Sequence, residues 1–286
     1  MSPGGRTYPG WLWVPVGVGA LFVLLPLAAI VTHVDWAHFV RLITSQASVA
    51  ALVLSLETAA MSTVICVVLG VPMAIVLARG HFPGQSIGRA LVLVPLVLPP
   101  VVSGLALLYT VGRQGLLGPL LEQLGWQVPF TTAAVVLAQS FVSLPFIVIS
   151  LEGALRSETS NHDEIALAYG ASRTQVLQKI TLPALGPALI SGAVLSFARS
   201  LGEFGATITV AGSLQGVTRT LPLEIYLRNN TDPDAAVALS LVLIVVALVV
   251  VFVAGRPWRA AAGAELALLF GGRGGRETAA RASMEA

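Results

Sequence analysis

Charge is scarce in this chain: Asp, Glu, Lys and Arg together make up 10% of 286 residues, and lysine occurs once, at Lys179. Hydrophobic residues make up 56% and the mean hydropathy is +0.86, a balance that excludes a soluble globular domain. A single cysteine, Cys66, excludes an intramolecular disulfide, and within an apolar run it reads as a small buried packing residue. There is no G-x4-G-K-[ST] sequence to cradle phosphates, so any energy from ATP has to come through another polypeptide. No H-E-x-x-H occurs and His33, His38, His81 and His162 are scattered, which argues against a metalloprotease and leaves no metal site to name. No basic and aromatic surface points to nucleic acid as a partner.

Long apolar runs are what the chain has instead. A bilayer core takes about 20 apolar residues per helix, and the stretches 12–31, 49–78, 90–109, 132–151, 184–210 and 235–254 qualify. Lone strands cannot satisfy their backbone in lipid, and runs such as Leu239 to Val253 lack the alternation of a transmembrane barrel. The fold class is therefore an all-α integral membrane protein of about six transmembrane helices. The first run, preceded by Arg6, could be mistaken for a secretory signal peptide, but a polytopic chain needs a first span to place its N-terminus. With residues 1–11 inside, the inward segments hold eleven Lys and Arg, against four outside: Arg41, Arg113, Arg219 and Arg228. Both termini are thus expected in the cytoplasm. Residues 257–286, rich in Gly, Ala and Arg, are expected to form a disordered tail. The outward loops 112–131 and 211–234 suit short surface helices or caps over a pathway.

The inward loop 152–183 is polar between apolar flanks. Asn161 or Asp163 is placed to cap a helix whose first turn carries Asp163 and Glu164, favourable against the positive end of the helix dipole. Ile165, Ala168 and Tyr169 share one side, and Gly170 offers a turn. A second helical stretch from Ser172 to Ile180 carries Val176, Leu177 and Ile180 on one face, and Pro183 begins the next span. Two short helices about a hinge make a docking surface; the plainer alternative is an ordinary hairpin.

The fifth apolar run carries charge. Arg199 and Glu203, four apart, stack on one helix face, where an unpaired charge would cost about 2.5–3.5 kcal/mol. Gly202, Gly205 and Gly212 each weaken the helix by about 1 kcal/mol relative to alanine, and Ser196, Ser200, Thr207 and Thr209 supply hydroxyls. This segment reads either as a bendable, polar pathway or gate, or as an ion pair pinning the span to its neighbours. Glu57 in the second run is read as a buried acid bonded between helices. Pro95, Pro99 and Pro100, with Gly104, should kink the third span and Pro145 the fourth. Interrupted helices of this sort line transport pathways.

Glu164, Ala166, Gly170, Ile180, Leu182 and Pro183 resemble the "EAA" loop, E-A-A-x3-G-x9-I-x-L-P, of permease subunits of binding-protein-dependent ABC importers, with Ile165 in place of an alanine. Within that family, FARSLGEFGATITVAGS from Phe197 to Ser213 and TRTLPLEIY from Thr218 to Tyr226 are similar to the molybdate-type permeases, while sulfate permeases share the Ala-Arg then Gly-Glu frame and generally differ after it. The resemblance covers roughly residues 45 to 255. It implies type I ABC importer permease architecture in a prokaryotic cell membrane, with the chain paired to a second copy of itself. It further implies a pair of cytoplasmic ATP-binding subunits that hold ATP and Mg, and an extracytoplasmic molybdate-binding protein. No cofactor is implied for this chain, which would be a transport subunit and not an enzyme. By the same resemblance Glu164, Ile165, Ala166, Ala168, Tyr169, Gly170, Ile180, Leu182 and Pro183 couple it to the ATPase. The implied substrate is molybdate, with tungstate or sulfate as alternatives. The rival from another class is an ion-coupled secondary transporter with Glu57, Arg199 and Glu203 as its relay.

Overall fold

The computed structural model describes residues 9–80, 82–157 and 162–252; the candidate cap Asn161 and the tail 257–286 lie outside them. After a 3-10 turn at Gly10–Leu12, the chain runs through α1 (Trp13–Thr32), α2 (Phe39–Ile43), α3 (Gln46–Arg79), α4 (Gln85–Val97), α5 (Pro100–Val111), α6 (Gly118–Gln123) and α7 (Thr132–Ser157). It continues through α8 (His162–Ala168), α9 (Arg173–Val176), α10 (Leu182–Ala184), α11 (Gly186–Leu201), α12 (Gly205–Ala211), α13 (Leu221–Thr231) and α14 (Pro233–Phe252). Among the described residues four helices, α1 with its leading turn, α3, α7 and α14, are long and apolar enough to cross a membrane. Two bent pairs, α4 with α5 and α9–α10 with α11, raise that number to six if each is one span.

The centre is α3 packed along α7, with α11 against both. Helix α3 permits this because Ser55, Ala59, Ser62, Cys66, Gly70 and Ala74, spaced three or four apart, put a buried stripe of small side chains on one face. At one end Cys66, Ala74 and Leu77 meet Ile147, Val148, Leu151, Leu155 and Leu185. Toward the other, Leu107 from α5 and Ala206, Val210 and Ala211 close on Ala134, Val135, Ala138 and Val142 of α7. Cys66 is fully buried and its thiol donates to the Ser140 carbonyl at 3.4 Å.

The third apolar run is broken where a kink was expected. Leu98 is extended (φ −64°, ψ 133°), as a residue before proline prefers to be, and α4 and α5 meet at 116°. The fifth run breaks as well. α11 stops at Leu201, Phe204 leaves helical geometry (φ −125°, ψ −55°), and α12 starts again at Gly205. The two short halves, α5 and α12, then pack on each other through glycine. A Cβ on Gly104 would stand 2.6 Å from Thr209 Cβ, and one on Gly205 would stand 2.5 Å from Pro100 Cβ.

Helix α1 buries none of its residues against the rest of the chain. Glu57 is exposed, on the same side of α3 as Val49, Val53, Met61 and Val64, and does not bond between helices as its place in an apolar run suggested. Hydropathy gives a residue's depth in a span but not the direction it faces. At the end of the bundle opposite the 152–183 loop, the backbone N–H of Leu221 donates to Ser55 Oγ at 2.6 Å, and buried Glu224 accepts from Arg228 at 2.8 Å and from Arg219 at 3.4 Å. In the turn after α1, His38 Nδ1 lies 2.6 Å from Asp35 Oδ2, and that hydrogen bond holds the Asp35 carboxyl below its ordinary range.

Candidate functional site

Two groups of residues singled out in the sequence occupy different places. The first is the 152–183 loop. Helix α8 carries Glu164, Ile165, Ala166 and Ala168, and exposes Ile165 and Leu167. Tyr169 follows at 89% exposure. Gly170 turns the chain with φ +89°, a conformation that favours glycine, and a Cβ there would meet nothing within 4 Å. Ser172 then caps the next helix. Its hydroxyl accepts from the Gln175 N–H while the Gln175 side chain accepts from the Ser172 N–H, a reciprocal box that the spacing Ser-x-x-Gln contained and that sequence reading passed over.

The second stretch is not one regular helix. A π turn over Leu177–Thr181 joins α9 to α10, so Val176 is buried while Leu177 is exposed. Ile180 is half-buried and Leu182 is 37% exposed. Pro183 lies inside α10, before the 64° bend at Leu185, and does not begin the next long helix; α11 starts at Gly186 with Pro187 in its first turn. Asp163 does not act as the cap that its position suggested. It sits in the first turn of α8, where its carboxylate accepts from Arg79 Nη1 at the end of α3 and lies 3.4 Å from Thr181 Oγ1.

A second polar group, absent from the sequence reading, lies at the same end. Glu152, 8% exposed, accepts from Arg89 of α4 at 2.7 Å and from Arg156 at 3.0 Å, and Arg89 also donates to the Leu77 carbonyl at 3.1 Å. These bonds tie together the ends of α3, α4 and α7 beside the loop. Only the i,i+4 spacing of Glu152 and Arg156 signalled any part of it.

The remaining candidates lie at the break in the fifth run. Arg199 Nη1 stands 2.6 Å from Glu203 Oε2, and the other oxygen, Oε1, accepts the Ala206 N–H at 2.8 Å. Glu203 is 1% exposed, so one carboxylate holds α11 through Arg199 and satisfies an otherwise orphan N–H at the start of α12. The Arg199 side chain keeps 29% exposure. Ser196, Ser200 and Thr207 are fully buried inside the bundle, and Ser200 bridges Ser62 of α3 at 3.0 Å and Ser143 of α7 at 2.8 Å. Thr209 donates to the Gly205 carbonyl at 2.8 Å. Within this group Arg199 and Thr209 are partly exposed, and Glu203, Ser196, Ser200 and Thr207 are buried.

Long apolar helices, two interrupted spans, a buried ion pair at one interruption and an exposed helical loop at one end define an integral membrane permease. Residues 67–256 match the family described as "Binding-protein-dependent transport system inner membrane component". The chain belongs to that family. It is 59% identical over 247 residues to the Molybdenum transport system permease protein ModB of Mycobacterium tuberculosis, covering 86% of this chain and 94% of that one. It is 36% identical over 255 residues to the Sulfate transport system permease protein CysT of Escherichia coli, covering 86% and 92%. Among solved structures, a bacterial ABC transporter involved in the import of the acidic polysaccharide alginate superposes with a TM-score of 0.66 at 20% identity, covering 87% of this chain and 94% of that one. The MetNI methionine ABC transporter in an inward-facing conformation gives 0.57 at 19%, covering 76% and 99%. At such identities the likeness shows the fold.

Proposed function

We propose that this chain is the permease subunit of an ABC importer that moves molybdate into a prokaryotic cytoplasm, driven by ATP hydrolysis on separate subunits. The observation that carries the substrate is the 59% identity to a molybdenum permease over most of both chains, against 36% to a sulfate permease of similar coverage. In this reading the N-terminus is cytoplasmic, so the 152–183 loop faces the cytoplasm and α8, with exposed Ile165 and with Tyr169 just after it, enters a groove on an ATP-binding subunit. Closure of the ATPase pair draws the coupling helices together and opens the pathway outward; hydrolysis resets it inward. An extracytoplasmic binding protein delivers the anion and provides most of the selectivity.

The partner across the membrane is a second copy of this chain, with the pathway between the copies. Two observations support that: α1 buries none of its residues within the chain, and α3 exposes Glu57 on an apolar face. A carboxylate turned to lipid would cost about 2.5–3.5 kcal/mol, so this face needs protein or water beside it. Arg199 offers positive potential to a passing oxyanion while Glu203 tempers its grip, since a conducting path must not bind too well. The test is competition. Uptake of labelled molybdate into vesicles holding the complex and its binding protein should be suppressed by excess tungstate and not by sulfate; strong suppression by sulfate would move the chain to the sulfate branch.

A further inference from the structure

Three elements that the chain visits far apart meet at one carboxylate. Arg79 ends α3, Asp163 lies in the first turn of α8, and Thr181 closes the π turn ahead of the fifth span. Arg79 Nη1 donates to Asp163 Oδ2 and lies 3.2 Å from Thr181 Oγ1; the same hydroxyl faces both Asp163 oxygens at 3.4 Å. Thr181 is 2% exposed, so its hydroxyl has no water to turn to.

The π turn is what brings Thr181 to this position. In a regular helix two residues five apart point about 140° away from each other, yet Val176 and Thr181 are both buried. The wider π turn closes most of that angle, and Leu185, one α turn further on, is buried in its wake. Helix α8 has little apolar hold of its own, because Ile165, Leu167, Ala168 and Tyr169 are all exposed.

We infer that Asp163 is a positioning residue, the joint through which displacement of α8 reaches α3 and the fifth span together. The inference rests on the proposed docking of α8 to the ATP-binding subunit and goes beyond it, since it names the route by which that movement enters the membrane. Without the carboxylate, α8 still docks and the ATPase still turns over, but the spans no longer follow.

The experiment uses the whole complex in vesicles, with Asp163→Ala, Asp163→Glu and Thr181→Val each in this chain, and reads subunit co-purification, ATP hydrolysis and molybdate imported per ATP. Asp163→Ala should keep its ATP-binding subunits and basal hydrolysis while import per ATP falls about tenfold, and Thr181→Val should lower it about threefold, the scale of ordinary coupling between sites. Asp163→Glu, which retains the charge, should recover most of the ratio. Parental import per ATP in Asp163→Ala overturns the inference. So does loss of the ATP-binding subunits from Asp163→Ala with Thr181→Val at the parental ratio, because Asp163 would then only keep α8 folded. A separate arm checks the docking: if Tyr169→Cys never cross-links to the ATP-binding subunit in an importing complex, the docking reading falls, and the joint with it.

Discussion

Replacing Gly104 by alanine should force α5 away from α12. The added Cβ would lie 2.6 Å from Thr209 Cβ, 2.8 Å from the Ala206 carbonyl oxygen and 3.0 Å from Ala206 Cα, where ordinary contact is 3.4–4 Å. Two of those three atoms belong to backbone and cannot rotate aside, so the seam has to open by about 0.8 Å, and overpacking of this kind costs about 1–3 kcal/mol. The substitution also gains about 1 kcal/mol of helix propensity, which would hide part of the loss. Gly153→Ala is the control, because it lies inside α7 with nothing within 4 Å of its Cβ and carries the same propensity gain. The difference between the two variants therefore isolates the seam. Thermal unfolding in detergent, followed by the loss of the monodisperse peak on size exclusion, should place Gly104→Ala below Gly153→Ala by several degrees, given about 2–4 °C per kcal/mol for a large domain. Equal midpoints would refute the close-packed seam.

Arg199→Ala strands the buried Glu203 carboxylate with one N–H donor and should cost about 3–5 kcal/mol in the same assay; Arg228→Ala should cost markedly less, because Glu224 keeps Arg219 at 3.4 Å. Gly170→Asp meets no neighbour within this chain, but at φ +89° its side chain strains the turn by roughly 1–2 kcal/mol, a local cost that should still let it insert while it imports poorly for each ATP hydrolysed in vesicles, the docking surface carrying a misplaced charge. His38→Ala removes the hydrogen bond that depresses the Asp35 carboxyl, so its pKa should return toward the ordinary value in a carbon-13 NMR titration. The sign follows from linkage: whatever the paired turn gains is present above the unfolded-state pKa of Asp35 and is lost as pH falls through the lower folded value.

What was legible in the sequence was local. Apolar runs marked the long helices, and Gly170 marked the turn in the loop. The four-residue spacing of Arg199 and Glu203 gave their ion pair. Proline in the third run announced an interruption but not its depth, since Leu98 lies ahead of two successive prolines and reaches extended geometry outright. The break at residues 202–204 was less visible. Three glycines read as softness, whereas the deciding events are a carboxylate, Glu203, that serves both flanking helices through residues three and four away, and the seat of Gly205 against Pro100, which needs a partner from a distant part of the chain. The same limit hid Arg89 on Glu152 and Arg79 on Asp163, pairs 63 and 84 residues apart. Capping offers itself for Asn161 or Asp163 because that role lies within reach of the local helix, whereas the partner Asp163 takes from the first turn of α8 is distant. Glu57 shows the complementary failure: depth in a span is a property of the run, but the direction a side chain faces depends on which neighbours α3 packs against.

The source of energy separates an ABC permease from a transporter that works alone. Labelled molybdate uptake should be measured in vesicles containing this chain, with the binding protein present, and with or without ATP and the ATP-binding subunits. Uptake that requires both ATP and those subunits is the predicted result. Uptake by this chain without them, driven by an imposed ion gradient, would contradict the account and make it a transporter that works alone.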